Sequence, residues 1–450
     1  MTRRALLLLA TALGLAAGPA VAEPPPEAGL SPEALMTLAA DRLAAGDPAS
    51  AAHMTNALIA RDDADVPALI LRAEAAVALR DYDSAQRAAR QAWRQAEVPA
   101  ARYASARLAA VGLAGQERDT LAQFWLRRAR QHAPDAASRA AVADDFRYLR
   151  RRNPLSFSVD FSVSPTNNLN NGTTNETIVL PGLPFVFALT GDARPLSGTE
   201  FTAGGQLRYR LRERTNSLTY VDVGGYGRTY RLSDEAREIK PDAEGADYGE
   251  LQLSLGLGHV WAPDGGRDPW RFAITAGRFW YGGEAWSDFT RLKVGRGVTI
   301  GPRDRLDFGL SAERVVNHET ADTEAVGVDA SYSHDFGAPG ALTLSLGRRS
   351  VTSEGFDRAY EARSAGIGWR FESDVTLFHG IEARDYALTA YRLDAREDVR
   401  RTTRVEVPVQ RVEFYGFQPV LHGERVHTDS NVTRFETETL GGGLTFRSAF

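Results

Sequence analysis

Cysteine is absent from all 450 residues, and lysine nearly so, with only Lys240 and Lys293. The first absence suits an oxidising compartment and excludes thiol catalysis and thiolate-bound zinc. The second leaves arginine to carry the positive charge. Past the N-terminus no run of 18 or more apolar residues occurs, which argues against membrane-spanning helices. A membrane barrel stays open, because its strands need only about ten residues of alternating hydrophobicity each. The net charge of −5 excludes no partner by itself.

Residues 1–22 read as a secretory signal. Arg3 and Arg4 precede an apolar core over 5–17, and Ala20-Val21-Ala22 forms a small-residue cleavage site before Glu23. That core is too short to span a bilayer. Residues 23–30 read as a Pro-rich linker. No nucleic-acid partner is expected for an exported chain.

From 31 to 152 the sequence is rich in Ala, Leu and Arg and reads as consecutive short helices. One turn recurs: Gly46-Asp47-Pro48-Ala49-Ser50-Ala51 returns as Arg80-Asp81-Tyr82-Asp83-Ser84-Ala85, an offset of 34. That is the tetratricopeptide period. A third, degenerate unit carries Trp125, Leu126, Ala129 and Pro134. The expectation is a tetratricopeptide-like solenoid with a concave face for another protein, with a generic helical bundle as the alternative. Between Arg80 and Arg152 stand 15 arginines and 8 acids, a surplus of +7, so the remainder carries −12. The surplus reads either as a basic face for phospholipid headgroups or an acidic client, or as solvated helix surface.

After Asn153-Pro154 alanine falls and period-2 alternation begins. Leu251, Leu253, Leu255 and Leu257 share one face. So do Leu342, Leu344 and Leu346, and Leu306, Phe308, Leu310 and Ala312. The pattern gives about fourteen strands over 153–450, and an even number returns both ends of the barrel to the side of the helices. Trp261, Trp270, Trp280, Trp286 and Trp369 fall near strand ends, where an aromatic girdle would lie. A large soluble sandwich is the alternative. The final stretch, 433–450, alternates through Leu440, Gly442, Leu444 and Phe446 to a terminal Phe450.

Two further stretches stand out. Residues 165–176, PTNNLNNGTTNE, offer oxygen ligands of the kind calcium uses. With Glu176 their only charge, they read instead as a solvated surface loop. The segment 417–435 carries His422 and His427. With His259, His318, His334 and His379 these histidines are scattered among strands, and nothing in the sequence ties one to a nucleophile. The chain reads as a non-enzyme, with no cofactor and no metal site.

The segment SVSPTNNLNN after the first strand, the late segment GFQP…ERVHTDSNVTRFETE and the terminal aromatic together resemble the surface lipoprotein assembly modifiers (Slam). The resemblance implies a periplasmic tetratricopeptide domain (31–152) followed by a fourteen-stranded transmembrane antiparallel β-barrel (153–450) in the outer membrane. It also implies an outer-membrane translocator that displays client surface lipoproteins or secreted haem-binding proteins. Leu444, Phe446 and Phe450 would form the signal read by the barrel assembly machinery, from which Ser448 departs. An export pore for a polysaccharide is the competing function. The glycines Gly441, Gly442 and Gly443 lie in the strand that closes the barrel. They mark either a weak lateral seam, since glycine loses the most backbone entropy in a strand, or relief of crowding in a curved wall.

Overall fold

The computed structural model describes residues 30–179, 185–263, 265–387, 389–390 and 395–448. The signal segment and most of the linker (1–29) and Phe450 lie outside the described residues.

The helical half comprises α1 (Pro32–Ala44), α2 (Pro48–Arg61), α3 (Val66–Ala78), α4 (Tyr82–Gln95), α5 (Pro99–Gly115), α6 (Asp119–Gln131) and α7 (Ala136–Arg152). The recurring turn seen in the sequence has a local cause. Asp47 and Asp81 each accept from the backbone N–H three residues on, Ser50 and Ser84, both at 3.1 Å. The preceding residue is left-handed in both, Gly46 at φ 82° and Arg80 at φ 61°. Glu117, at φ 61°, repeats the reversal before α6. A cap of this kind contributes about 1 kcal/mol. Proline at the first turn of α1, α2, α3 and α5 removes an N–H that would have had no helical partner. Between the helices the buried residues are largely alanine, among them Ala51, Ala73, Ala75, Ala89 and Ala109, so the backbones approach closely. Bulkier side chains appear where α5, α6 and α7 meet: Leu113, Leu126, Val142, Phe146 and Leu149, with Trp93 and Trp125 alongside.

Strands begin three residues beyond α7. The barrel strands are β1 (Leu155–Thr166), β4 (Gly198–Arg214), β5 (Ser217–Leu232), β6 (Glu250–Trp261), β7 (Trp270–Tyr281), β8 (Glu284–Thr299) and β9 (Asp304–Asn317). They continue with β10 (Thr323–Asp335), β11 (Ala341–Thr352), β12 (Tyr360–Arg370), β13 (Thr376–Tyr386), β14 (Arg396–Pro408), β15 (Phe417–Ser430) and β16 (Thr437–Ser448). They form a closed antiparallel barrel of fourteen strands in which each pairs with its neighbours in sequence and β16 returns to β1. Two short strands, β2 (Thr177–Val179) and β3 (Val186–Ala188), make a hairpin inside the β1–β4 loop, and a short helix α8 (Asp234–Ile239) sits in the β5–β6 loop. The sequence pattern signalled neither.

Alternation sorts the side chains. Leu251, Leu253, Leu255 and Leu257 point outward and are 42–59% exposed, and Phe308, Leu310, Val326, Val328 and Leu346 on the far wall are 50–66% exposed. An apolar belt around the outside of a closed barrel is the surface a bilayer covers. Near the end that carries the helical half, Trp261 pairs with Trp270, and Trp369 stacks on Phe336 at 5.5 Å. Trp280 and Trp286 lie at the opposite end, in the last turn of β7 and the start of β8. Toward that opposite rim the outward positions turn ionic, with Arg348 beside Glu361 (3.3 Å) and Arg314 beside Glu324 (3.7 Å). The inward face is polar and mixed in charge, with pairs such as Arg208–Asp222 (2.6 Å) and Arg404–Glu424 (2.7 Å).

Candidate functional site at the barrel seam

The fourteen junctions are not equal. Strand β1 pairs with β4 along its whole length, from Leu155–Tyr209 to Thr166–Gly198. With β16, among the described residues, it pairs through Phe161–Phe446, Ser162–Thr445 and Val163–Leu444, and then Thr166–Gly441. Strand β16 by contrast pairs with β15 from Phe417–Ser448 to Thr428–Thr437. Arg447, which the register would set beside Asp160, forks instead onto Glu406 of β14 at 2.7 and 2.9 Å. Among the described residues this is the shortest ladder in the wall, and each absent backbone hydrogen bond is worth about 1 kcal/mol.

Three devices hold it. On the outside Phe161 stacks on Phe446 (4.6 Å between centroids), and beside them the register sets Val163 against Leu444. Such a stack contributes about 1 kcal/mol. On the inside His422 of β15 reaches across β16. One ring nitrogen contacts Ser164 on β1 at 2.9 Å and the other contacts Thr445 at 3.1 Å. The three glycines then separate in role. A Cβ on Gly443 would lie 2.0 Å from the Val163 carbonyl oxygen and 2.6 Å from Ser164 Oγ, so β1 can approach, and His422 can pass, only because that position is glycine. A Cβ on Gly441 would meet nothing nearer than 3.4 Å, and one on Gly442 would sit 3.1 Å from the His422 carbonyl oxygen. Of the two readings of these glycines, relief of crowding is seen at Gly443, where the strands come closest.

The serine–histidine contact was not foreseen in the sequence, where the two residues stand far apart. Its geometry is that of a latch. Ser164 is 94% buried, its oxygen also contacts Ser162, and the second His422 nitrogen faces a threonine hydroxyl where a hydrolase would place a carboxylate.

The third device corrects the reading of the Asn-rich stretch as a solvated loop. Asn168 and Thr173 are 3% and 0% exposed. Asn167 Oδ1 accepts from the Leu440 N–H (2.7 Å), continuing the seam where the ladder stops. Asn168 Nδ2 donates to the Glu438 carbonyl, the Thr173 hydroxyl bridges the Thr433 and Glu436 carbonyls, and Asn175 Nδ2 donates to the Glu436 carboxylate. Asparagine and threonine recur there because each satisfies backbone groups at a strand end that no ladder reaches. The strap rests on its own small apolar cluster of Leu169, Leu196, Tyr230, Leu232 and Tyr248. Tyr248 donates to Asp192; burial and that carboxylate push the phenol pKa up. Burial also pushes Asp192 up, but donation from Lys240 and Tyr248 outweighs it and leaves the carboxyl lowered. Replacing Thr173 by Val should remove one donor from each of the Thr433 and Glu436 carbonyls, which keep the Asn175 amide and the Thr174 N–H respectively, at a cost of about 1 kcal/mol. Hydrogen exchange should then rise over 431–441 and stay unchanged over 251–258; equal protection in both would refute the clasp.

At the other end of the seam lies the helical half. Arg127 of α6 is 7% exposed and donates to the Gly416 carbonyl (3.1 Å) and to Ser448 Oγ (2.9 Å), with Phe146 and Phe417 against its faces. Burial, aided by Arg150, lowers its pKa to about 10, still a cation at neutral pH. Gln131 accepts from the Tyr415 N–H (2.8 Å), and Arg130 forks onto Glu413 in the β14–β15 turn. Ser448, the departure from the terminal signal, is thus the residue the helical half holds. Reversing Arg130 to Glu should loosen this dock by about 1–3 kcal/mol. Limited proteolysis between the halves should speed up, and adding Glu413→Arg should restore resistance; no recovery in the double variant would refute the pairing.

Of the residues singled out in the sequence, Leu444, Phe446 and the three glycines fall together at the seam. His427 lies outside on β15 against Asp429 (3.0 Å), and His132 packs against Trp93 in the helical half. Among the described residues no group of three metal-ligating side chains occurs.

No protein-family model matches the sequence, and no curated protein does. Similar solved structures include OprD of Pseudomonas aeruginosa (9% identity, TM-score 0.34, 65% of this chain and 94% of that one). A FadL homologue of Pseudomonas aeruginosa is similar at 10% identity and TM-score 0.32, over 66% of this chain and 91% of that one. The type III secretion translocator chaperone SycD of Yersinia enterocolitica is similar at 17% identity and TM-score 0.25, over 27% of this chain and 83% of that one. Likenesses this distant carry no functional information.

Proposed function

We propose that this chain is an outer-membrane translocator that displays client proteins, surface lipoproteins or secreted haem-binding proteins, at the cell surface. The helical half, periplasmic and tetratricopeptide-like in this reading, recruits the client, and the weak seam releases it sideways. The observation that carries the proposal is the dock of α6: the helical half grips the β14–β15 turn and Ser448, at the foot of the shortest ladder in the wall. A lipid-anchored client delivered there has its exit beside it and keeps its acyl chains in the bilayer. The resemblance to the surface lipoprotein assembly modifiers supports the same reading, and the apolar belt supports a membrane location.

The recruiting surface is legible on α4 and α6. Phe124 is 50% and Leu121 39% exposed, and Arg128 lies over Phe124 and Trp125. Arg90 beside them has its pKa lowered by burial and by Arg118, Arg128 and Arg94, which places four like charges close together. An apolar anchor ringed by arginines suits an acidic amphipathic segment. The double change F124A/R128E should cut client display about tenfold or more, since a central anchor and a desolvated charge each contribute over 1 kcal/mol. Intact-cell labelling, with heat-modifiable gel mobility and outer-membrane fractionation as controls for the barrel, measures this. Unchanged display would remove the recruiting role; soluble fractionation would remove the membrane reading.

A further inference from the structure

At the rim opposite the helical half, a cavity of about 360 Å³ opens inside the barrel between β13, β14 and the β15–β16 turn. Four arginines line it: Arg384, Arg396, Arg400 and Arg434. Two are neutralised. Arg384 pairs with Glu382 at 2.5 Å, and Arg396 pairs with Asp398 at 2.6 Å and Asp357 at 3.0 Å. Arg396 is 6% exposed, with its guanidinium over the rings of Phe435 (3.4 Å to the centroid) and Tyr386 (3.9 Å). The other two are not neutralised. Among the described residues neither Arg400 nor Arg434 has a carboxylate within ion-pair distance. Inward arginines elsewhere in the barrel do, as Arg349 with Glu313 (2.8 Å) and Arg447 with Glu406 (2.7 Å) show. Arg400 is exposed to the lumen and also borders a second cavity of about 240 Å³ beneath the strap.

We infer that this cavity binds an anion of the phosphate monoester class. Arg396 holds two carboxylates, so the four arginines and three acids leave a net of +1, but Arg400 and Arg434 remain two guanidinium forks that one tetrahedral anion can engage together. A phosphate monoester carries about −1.5 to −2 at neutral pH, with three acceptor oxygens. A single carboxylate would neutralise only one arginine. The planar forks of Arg400 and Arg434 suit bidentate donation to phosphate, and the Asn171 amide with the Thr428 and Thr437 hydroxyls adds neutral donors on the same wall. The space takes a sugar-sized body besides the phosphate. The inference goes beyond the display reading and stands without it.

The test is calorimetric titration of the detergent-purified full chain with glucose 1-phosphate, with glucose as the uncharged control. Saturable binding of the ester alone is expected. R400S and R434S should each weaken it about tenfold or more, the worth of a charge-assisted pair. R401S, on the outward face of β14, should leave it unchanged, and heat-modifiable mobility confirms folding of every variant. No saturable binding, or full affinity in the R400S/R434S double variant, overturns the site. Native mass spectrometry in the presence of phosphatidate then separates the sources. An adduct displaced by glucose 1-phosphate assigns a lipid headgroup; calorimetric binding without an adduct assigns a soluble ester.

Discussion

A disulfide between cysteines placed at Val163 and Leu444 is expected to abolish client display while leaving a folded barrel. These residues are register partners on the outward side, where β1 and β16 still pair. The native chain has no cysteine, so the engineered pair has no competing thiol. Opening the seam means parting four register pairs, one aromatic stack, the His422 contacts and the strap. The ladder, stack and histidine together amount to several kcal/mol, within reach of a bound client. A covalent link puts that opening out of reach. Under oxidation the proteins lost from the surface of a deletion strain should stay absent, and reduction should restore them. A control pair at Ala330 and Leu346, opposed across β10 and β11, should cross-link without effect. If display continues with the seam locked, the client does not leave there, and passage through the lumen or the polysaccharide-pore alternative gains.

Gly443→Val is expected to fail at barrel closure. The added Cβ would fall inside the backbone of β1 and block the path of His422 to Ser164. Overpacking a close approach typically costs about 1–3 kcal/mol, and here it removes the register that the shortest ladder depends on. Heat-modifiable mobility should be lost or shifted to much lower urea. Gly441→Ala, whose Cβ would make only an ordinary contact with the Pro165 carbonyl oxygen at 3.4 Å, should be nearly silent. Equal tolerance at both positions would return the glycines to a common role in backbone entropy.

The barrel was legible because period 2 is strong where one face meets a bilayer and the other a polar lumen. Leu251 to Leu257 and Leu342 to Leu346 show the two faces directly, and the number of such runs gives fourteen strands. The short elements in the loops were not legible: β2, β3 and α8 lie where no alternation or apolar stripe exceeds a turn. The Asn-rich segment was misread because composition reports polarity and not the partner. Asn168 and Thr173 are polar for the sake of backbone carbonyls on another strand, and nothing in their own stretch names Thr433 or Glu436. His422 was missed likewise, since its meaning depends on a strand some 260 residues earlier. The recurring Asp-x-x-Ser turns were legible because capping is local.

The grip of α6 on the β14–β15 turn also bears on how the barrel comes to be closed. Phe161 and Phe446 stand near opposite ends of the strand half, and bringing them together confines almost the whole of it. The entropic cost of such a ring grows only slowly with its length, but the search is slow because non-local pairs give nothing back until they meet. Helices α6 and α7 run directly into β1, and α6 holds the turn before β15 and the end of β16. That contact raises the effective concentration of β16 at β1 in the manner of a short tether. Closure becomes the last step of a docking already made, and a barrel deprived of residues 31–135 would arrive at the same circle of strands more slowly.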